Sequence, residues 1–234
     1  RAPEFRTREL RLHVGAPDIE VTVTQLEHAF EFGFPVDFRE FRDEPEDLEF
    51  YRRIARDHAT LMVAETALKW RQLEPEPGRL EFDLGDSELA WAEANGFKVK
   101  MHTLLWGNAP PISTGSGTPE WLRNQFPETD LSDAEKDELR SLIRFQAESI
   151  VERYQGRIDI YDITNEMLNP LTPWFSSRLG QSITDDLFRW VRAIDPGAQL
   201  VMNEWISEVF TGLGGANAAI VRDRALELLA AGVP

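Results

Sequence analysis

The chain has 234 residues and no cysteine. Disulfides, thiolate nucleophiles and cysteine-held metals are excluded at once, and the redox compartment stays open. Histidine is almost as scarce. The four, His13, His28, His58 and His102, never fall two to four residues apart, which removes the local ligand pairs on which metallohydrolases are built. No G-x-G-x-x-G, Walker or G-x-S-x-G sequence occurs, and Gly115-Ser116-Gly117 lacks the strand-turn-helix setting of a nucleophile elbow. No cofactor is expected. No apolar stretch reaches the roughly 18 residues of a membrane span, and the opening RAPEFRTREL has no apolar signal core. Positive charge is short as well: 25 Lys and Arg stand against 41 Asp and Glu, a formal net charge of −16. Such a surface repels nucleic acid and anionic membranes, so neither is expected as a partner, but it does not oppose a neutral substrate such as a sugar.

What is present is an ordinary globular composition, 42% hydrophobic and 28% charged, with length enough for a sizeable core. Alternating Leu10, Leu12 and Val14, a turn at Gly15–Asp18, and alternating Ile19, Val21 and Val23 predict a hairpin over 10–26. Strands are expected near 28–36, 59–65, 97–106, 158–166 and 199–205. Helices are expected near 47–57, 86–94, 132–154, 182–194 and 216–231. Ser132 and Glu135 form a capping box for the longest of these. Strand and helix in alternation imply a parallel sheet with helical crossovers. The fold expected is α/β, a parallel (β/α)8 barrel type of which about five strands are present, with residues 1–27 as a β-hairpin lead-in and 28–234 as a partial barrel. The long loop Gly107–Asp130 is rich in Pro, Gly and Ser, and loops of that length are usually functional.

Active sites of such barrels lie at the C-terminal ends of the strands. Those ends hold Glu65, then His102 with Trp106, then Asn165-Glu166, then Asn203-Glu204. Each has an ordinary explanation by itself: a solvated loop carboxylate, a hydrogen-bonded core histidine, a packing indole. Their arrival on one edge carries more weight. The run Ile158–Glu166 (IDIYDITNE) weighs most, because a carboxylate leaving a buried strand must meet water, a partner or a substrate.

Five segments, AETALKW (Ala64–Trp70), EPEPGRLEFDLGD (Glu74–Asp86), MHTLLW (Met101–Trp106), YDITNE (Tyr161–Glu166) and LVMNEW (Leu200–Trp205), occur in an order and spacing that resemble glycoside hydrolase family 10, the retaining endo-β-1,4-xylanases. The resemblance runs from about Phe30 to the C-terminus. It implies a hydrolase of internal β-1,4 bonds in xylan, and an extracellular or periplasmic location. It further implies Glu166 as general acid/base, Asn165 on the 2-hydroxyl of the sugar at the cleavage point, and His102, Lys69 and Glu65 on that sugar and its non-reducing neighbour. Trp70 and Trp106 match cleft aromatics, Asn203 matches a substrate-side amide, and the His102–Thr103 bond is expected to be cis. Thr66, Tyr161 and Glu204-Trp205-Ile206 depart from the family's usual residues. The family's nucleophilic Glu belongs to a seventh strand, whereas this sequence ends where a sixth would begin. The expectation is therefore the N-terminal part of a hydrolase, inactive alone. The alternative is a non-catalytic carbohydrate-binding half-barrel that keeps Glu65, Lys69, His102 and Asn165.

Overall fold

The structure, a computed structural model, describes residues 11–13, 15, 20–24, 30–39, 44–109, 117–204 and 216–234. The chain divides into two compact units, Arg1–Phe30 and Glu31–Pro234. In the first, the described residues of the expected hairpin, 11–13, 15 and 20–24, carry no strand. Leu12, Val21 and Val23 are exposed, so their alternation has no apolar face to cover, and a lone two-stranded ribbon is marginal in water. The other hairpin residues lie outside the described ones.

The second unit holds a parallel sheet of β1 (Gly33–Val36), β2 (Leu61–Ala64), β3 (Lys98–Met101), β4 (Leu105–Trp106), β5 (Ile160–Asn165) and β6 (Gln199–Asn203). The pairing order is β1-β2-β3-β5, with β4 also on β5 and β6 on the far side of β5. Every pairing is parallel, as crossover helices require. The sheet is an open arc with β1 and β6 at its edges, close in form to part of a (β/α)8 barrel. β5 is central and buried along almost its whole length, which its β-branched, apolar sequence suits.

The crossovers are α1 (Pro45–His58), α2 (Trp70–Leu73), α3 (Asp83–Ala94), α4 (Glu120–Gln125), α5 (Asp133–Tyr154), α6 (Ser176–Leu179), α7 (Ser182–Ile194) and α8 (Ala216–Ala230). α5 starts where the capping box puts it. Ser132 Oγ accepts from Glu135 N at 3.3 Å, and Ser132 N donates to the Glu135 carboxylate at 2.7 Å. Leu139, Ile143, Ala147, Ile150 and Tyr154 form its buried face, as Ile183, Leu187, Phe188 and Val191 form that of α7. The short helices α2, α4 and α6 were not expected, since four to six residues are too few to show a period. Among the described residues no helix is long and apolar enough to cross a membrane.

The strand expected over 97–106 is two strands. Met101 pairs Tyr161 and Leu105 pairs Thr164, so four steps on one side match three on the other. The cis His102–Thr103 bond, as expected, lies inside that one-residue excess. β5 carries its own irregularity toward β6, between Asp162 and Thr164. Such bulges re-aim side chains; one lies between β3 and β4 at His102–Thr103, the other inside β5 just before Asn165 and Glu166.

Candidate active site

Glu166 follows the last residue of β5 and has φ of 57°, the one non-glycine positive φ among the described residues. A side chain in that region is uncommon and marks a position fixed by its surroundings. Three bonds fix it. Its N–H donates to Asn203 O at 2.9 Å, and its carbonyl accepts from Asn169 N at 3.1 Å and Thr172 Oγ1 at 2.9 Å. Its half-buried carboxylate accepts from Trp106 Nε1 at 3.1 Å.

Two glycines of the long loop allow close packing here, Gly117 against Trp106 and Gly107 against Thr172. A Cβ on Gly117 would lie 2.9 Å from Trp106 Cβ, and one on Gly107 would lie 2.7 Å from Thr172 O. Only hydrogen fits at either place. Thr118 Oγ1 donates to Trp106 O at 3.1 Å, so the loop returns to the strand end it left. On the other side of the indole, Lys69 Nζ stands 5.1 Å from the ring centroid, within reach of a cation–π attraction. Burial pushes the Lys69 ammonium below its ordinary value, while Glu65, Asp37 and Glu166 pull it back up. Glu65 itself is exposed.

Beside Glu166, Asn165 is buried, and its Oδ1 accepts from Asn203 Nδ2 at 2.8 Å. One residue on, Glu204 Oε1 accepts from Leu168 N at 3.2 Å, and Oε2 is buried with no protein partner. Burial pushes the Glu204 carboxyl up to about 7; the nearby Glu166 carboxylate adds to this, and the N–H groups of Leu168 and Met167 oppose it.

His102 is anchored by a residue the sequence reading did not single out. Asp162 of β5, 0% exposed, takes His102 Nδ1 at 2.9 Å and Lys100 Nζ at 3.0 Å on one carboxylate oxygen. Its backbone carbonyl accepts from Thr103 Oγ1 at 2.8 Å and Leu104 N at 3.0 Å. The signal was present, an acid in the middle of a β-branched buried strand, but strand ends drew the attention. Trp70 also sits differently from the expectation. It is 2% exposed, lies flat on Phe175 at 6.0 Å and donates Nε1 to Glu74 at 2.6 Å. It is a core indole with no open face, because α2 turns its first residue inward.

The rim thus gathers a carboxylate, two amides, an imidazole, an ammonium and an indole at the strand ends of a parallel α/β arc. The C-terminal ends of the strands are where barrel enzymes of this layout build their active sites. Residues 23–234 match the Glycosyl hydrolase family 10 profile, and the chain belongs to that family. It is similar to an anti-sigma-I factor of Acetivibrio thermocellus, 30% identical over 189 residues that make up 81% of this chain and 22% of that protein. It is similar also to endo-1,4-beta-xylanase 3 of Hypocrea jecorina, 32% identical over 148 residues, 62% of this chain and 38% of that protein. Xylanase 10B from Thermotoga petrophila, solved in complex with xylobiose, superposes with a TM-score of 0.69 at 26% identity, over 87% of this chain and 57% of that one. The chain spans less than half the length of these curated relatives and somewhat over half of the solved xylanase.

Proposed function

We propose that this chain is the acid/base-bearing part of a retaining endo-β-1,4-xylanase, acting on xylan or xylo-oligosaccharides outside the cytoplasm, with Glu166 as proton donor to the leaving glycosidic oxygen. The observation that carries the reading is the Glu166–Trp106 contact at the C-terminal rim, beside Asn165, His102 and Lys69. Each neighbour has a group left over for a sugar. Asn165 accepts at Oδ1 from Asn203, so its amide N–H2 is the end that can donate to a 2-hydroxyl. His102 gives its Nδ1–H to Asp162, which leaves Nε2 as an acceptor. Lys69 and Glu65 supply a donor and an acceptor one ring further on, and Asn203 holds Asn165 in place. Trp106 fixes the carboxyl that must move the proton.

Retention of configuration needs a second carboxyl about 5–5.5 Å from the first. Glu204 is a described acid near enough for the Glu166 carboxylate to act on it, and its Oε1 accepts from the Leu168 N–H. On this reading the chain by itself binds xylo-oligosaccharides and does not cleave them. Calorimetric titration with xylotriose, together with an aryl xylobioside assay, tests both halves. Binding that is lost in His102→Ala, with no release of the aryl group, is expected. Absence of any binding overturns the assignment to xylan, and measurable turnover overturns the statement about the second carboxyl.

A further inference from the structure

The first strand also sends a carboxylate to the rim. Val36 pairs Ala64 of β2, and Ala64 pairs Met101 of β3. The residues that follow, Asp37, Glu65 and His102, therefore leave three adjacent strands at the same level. The turn that carries Asp37 is pinned from the core side. Phe38 is buried, meets Trp91 edge-on with centroids 5.6 Å apart, and has the Arg52 guanidinium 4.3 Å from its own centroid. Its N–H donates to the fully buried Glu88 carboxylate at 3.1 Å. Asp37 and Arg39, on either side of Phe38, are half-buried and meet each other. Asp37 Oδ1 accepts from Arg39 N and Nε, both at 3.0 Å, and Oδ2 from Arg39 Nη2 at 2.7 Å. Asp37 also accepts from the Thr66 side chain, and Thr66 O accepts from Lys69 N at 3.1 Å. One threonine thus ties the end of β1 to the backbone of Lys69.

Resting on the xylan reading for what Lys69 touches, we propose that Asp37 is a positioning residue for Lys69: through Thr66 it sets the backbone from which the lysine reaches the rim, and its carboxylate is a counter-charge that holds the ammonium in its cationic form beside Trp106. The charges around Lys69 fit this role. Burial pushes the ammonium down; Glu65, Asp37 and Glu166 pull it up, and Arg39 pushes it down. Three acids and two cations therefore share this part of the rim. Arg39 offsets the repulsion between Asp37 and Glu65, and Asp37 remains ionised because Arg39 and Thr66 hold its carboxyl below the ordinary value against the opposing effect of burial. An ammonium brings three N–H donors and a full charge to a sugar hydroxyl, and hydrogen bonds from charged donors are the stronger kind.

The experiment follows the Lys69 ammonium directly, by the pH dependence of its Cε signal in carbon NMR. The chain has four lysines, Lys69, Lys98, Lys100 and Lys136, so the spectrum of Lys69→Arg assigns the signal. Its midpoint should fall in Asp37→Asn and rise in Arg39→Met, because the two variants delete opposite charges. Both break the same ion pair, so a merely structural role would move the signal in one direction only. Circular dichroism melts check that the variants fold, and if Asp37→Asn does not, the sign in Arg39→Met decides alone. In calorimetry, Asp37→Ala, which also takes the acceptor from Thr66, should weaken xylotriose binding by roughly 3- to 10-fold, the worth of one net hydrogen bond. Asp37→Asn keeps that acceptor and should recover most of the loss near neutral pH. A Lys69 midpoint that stays put in Asp37→Asn, one that does not rise in Arg39→Met, or xylotriose affinity unchanged in Asp37→Ala overturns the proposal and leaves the xylan reading standing. No binding of xylotriose by the parent chain overturns the xylan reading, and the two Lys69 midpoints then decide the link between Asp37 and Lys69 by themselves.

Discussion

Removing the Asp162 carboxylate should cost stability in a way that depends on what is left behind. Asp162 is fully buried, and one of its oxygens takes both Lys100 and His102, while the other has no partner. In Asp162→Ala the Lys100 ammonium loses its acceptor. Breaking a fully buried ion pair from one side costs about 3–5 kcal/mol. Lys100 keeps 24% of its side-chain exposure, so water recovers part of this, and a loss of about 2–3 kcal/mol is expected. Asp162→Asn keeps a carbonyl oxygen toward both nitrogens and sheds a buried charge, so it should lose less, about 1 kcal/mol. The decisive variant is Asp162→Ala with Lys100→Met. Deleting the stranded ammonium should recover at least half of the single-variant loss, a coupling that a double-mutant cycle isolates. Equilibrium urea unfolding of the parent, Asp162→Ala, Asp162→Asn, Lys100→Met and the double variant gives the five free energies needed. The reasoning is refuted if Asp162→Ala loses no more than Asp162→Asn, or if adding Lys100→Met deepens the loss.

Three other outcomes can be checked with the same material. Gly117→Ala should lower stability by about 1–3 kcal/mol and weaken xylotriose binding, because its Cβ would stand 2.9 Å from Trp106; unfolding and titration measure the two effects. Tyr161→Phe should be neutral or stabilising by about 1 kcal/mol, since the hydroxyl it removes is buried without a partner; a lower melting temperature would count against this. Glu204 and Glu88 both have folded-state values raised from 4.5 to about 7 by burial. The folded chain then holds protons that the unfolded chain has released, so stability should fall as pH rises from 4.5 to 7, and Glu204→Gln should make that decline shallower in urea midpoints.

The barrel-type α/β layout could be read from the sequence because apolar periodicity changes between strand and helix, and because α5 carries a capping box at its start and α7 a clear apolar face and stop. The break between β3 and β4 could not be read from periodicity, since FKVKMHTLLW stays apolar across it. Over 10–26 the alternation marks what could form one face of a sheet, and among the described residues there, 11–13, 15 and 20–24, no strand forms. At the site, His102, Trp106, Asn165, Glu166 and Asn203 stand on the strand ends where the pattern put them. Asp162 and the two glycines around Trp106 went unnoticed, because their roles exist only between segments distant in sequence. Trp70 looked like a cleft aromatic until the turn of α2 was known.

β6 has a strand on one side only among the described residues, yet it grips the turn that presents Glu166. Asn203 holds the Glu166 N–H through its carbonyl and Asn165 through its amide, and Glu204 holds Leu168. Glu166 is thus aimed from the margin of the sheet rather than from its middle. Whatever strand or chain comes to lie along that margin has a lever on the Glu166 side chain without touching it.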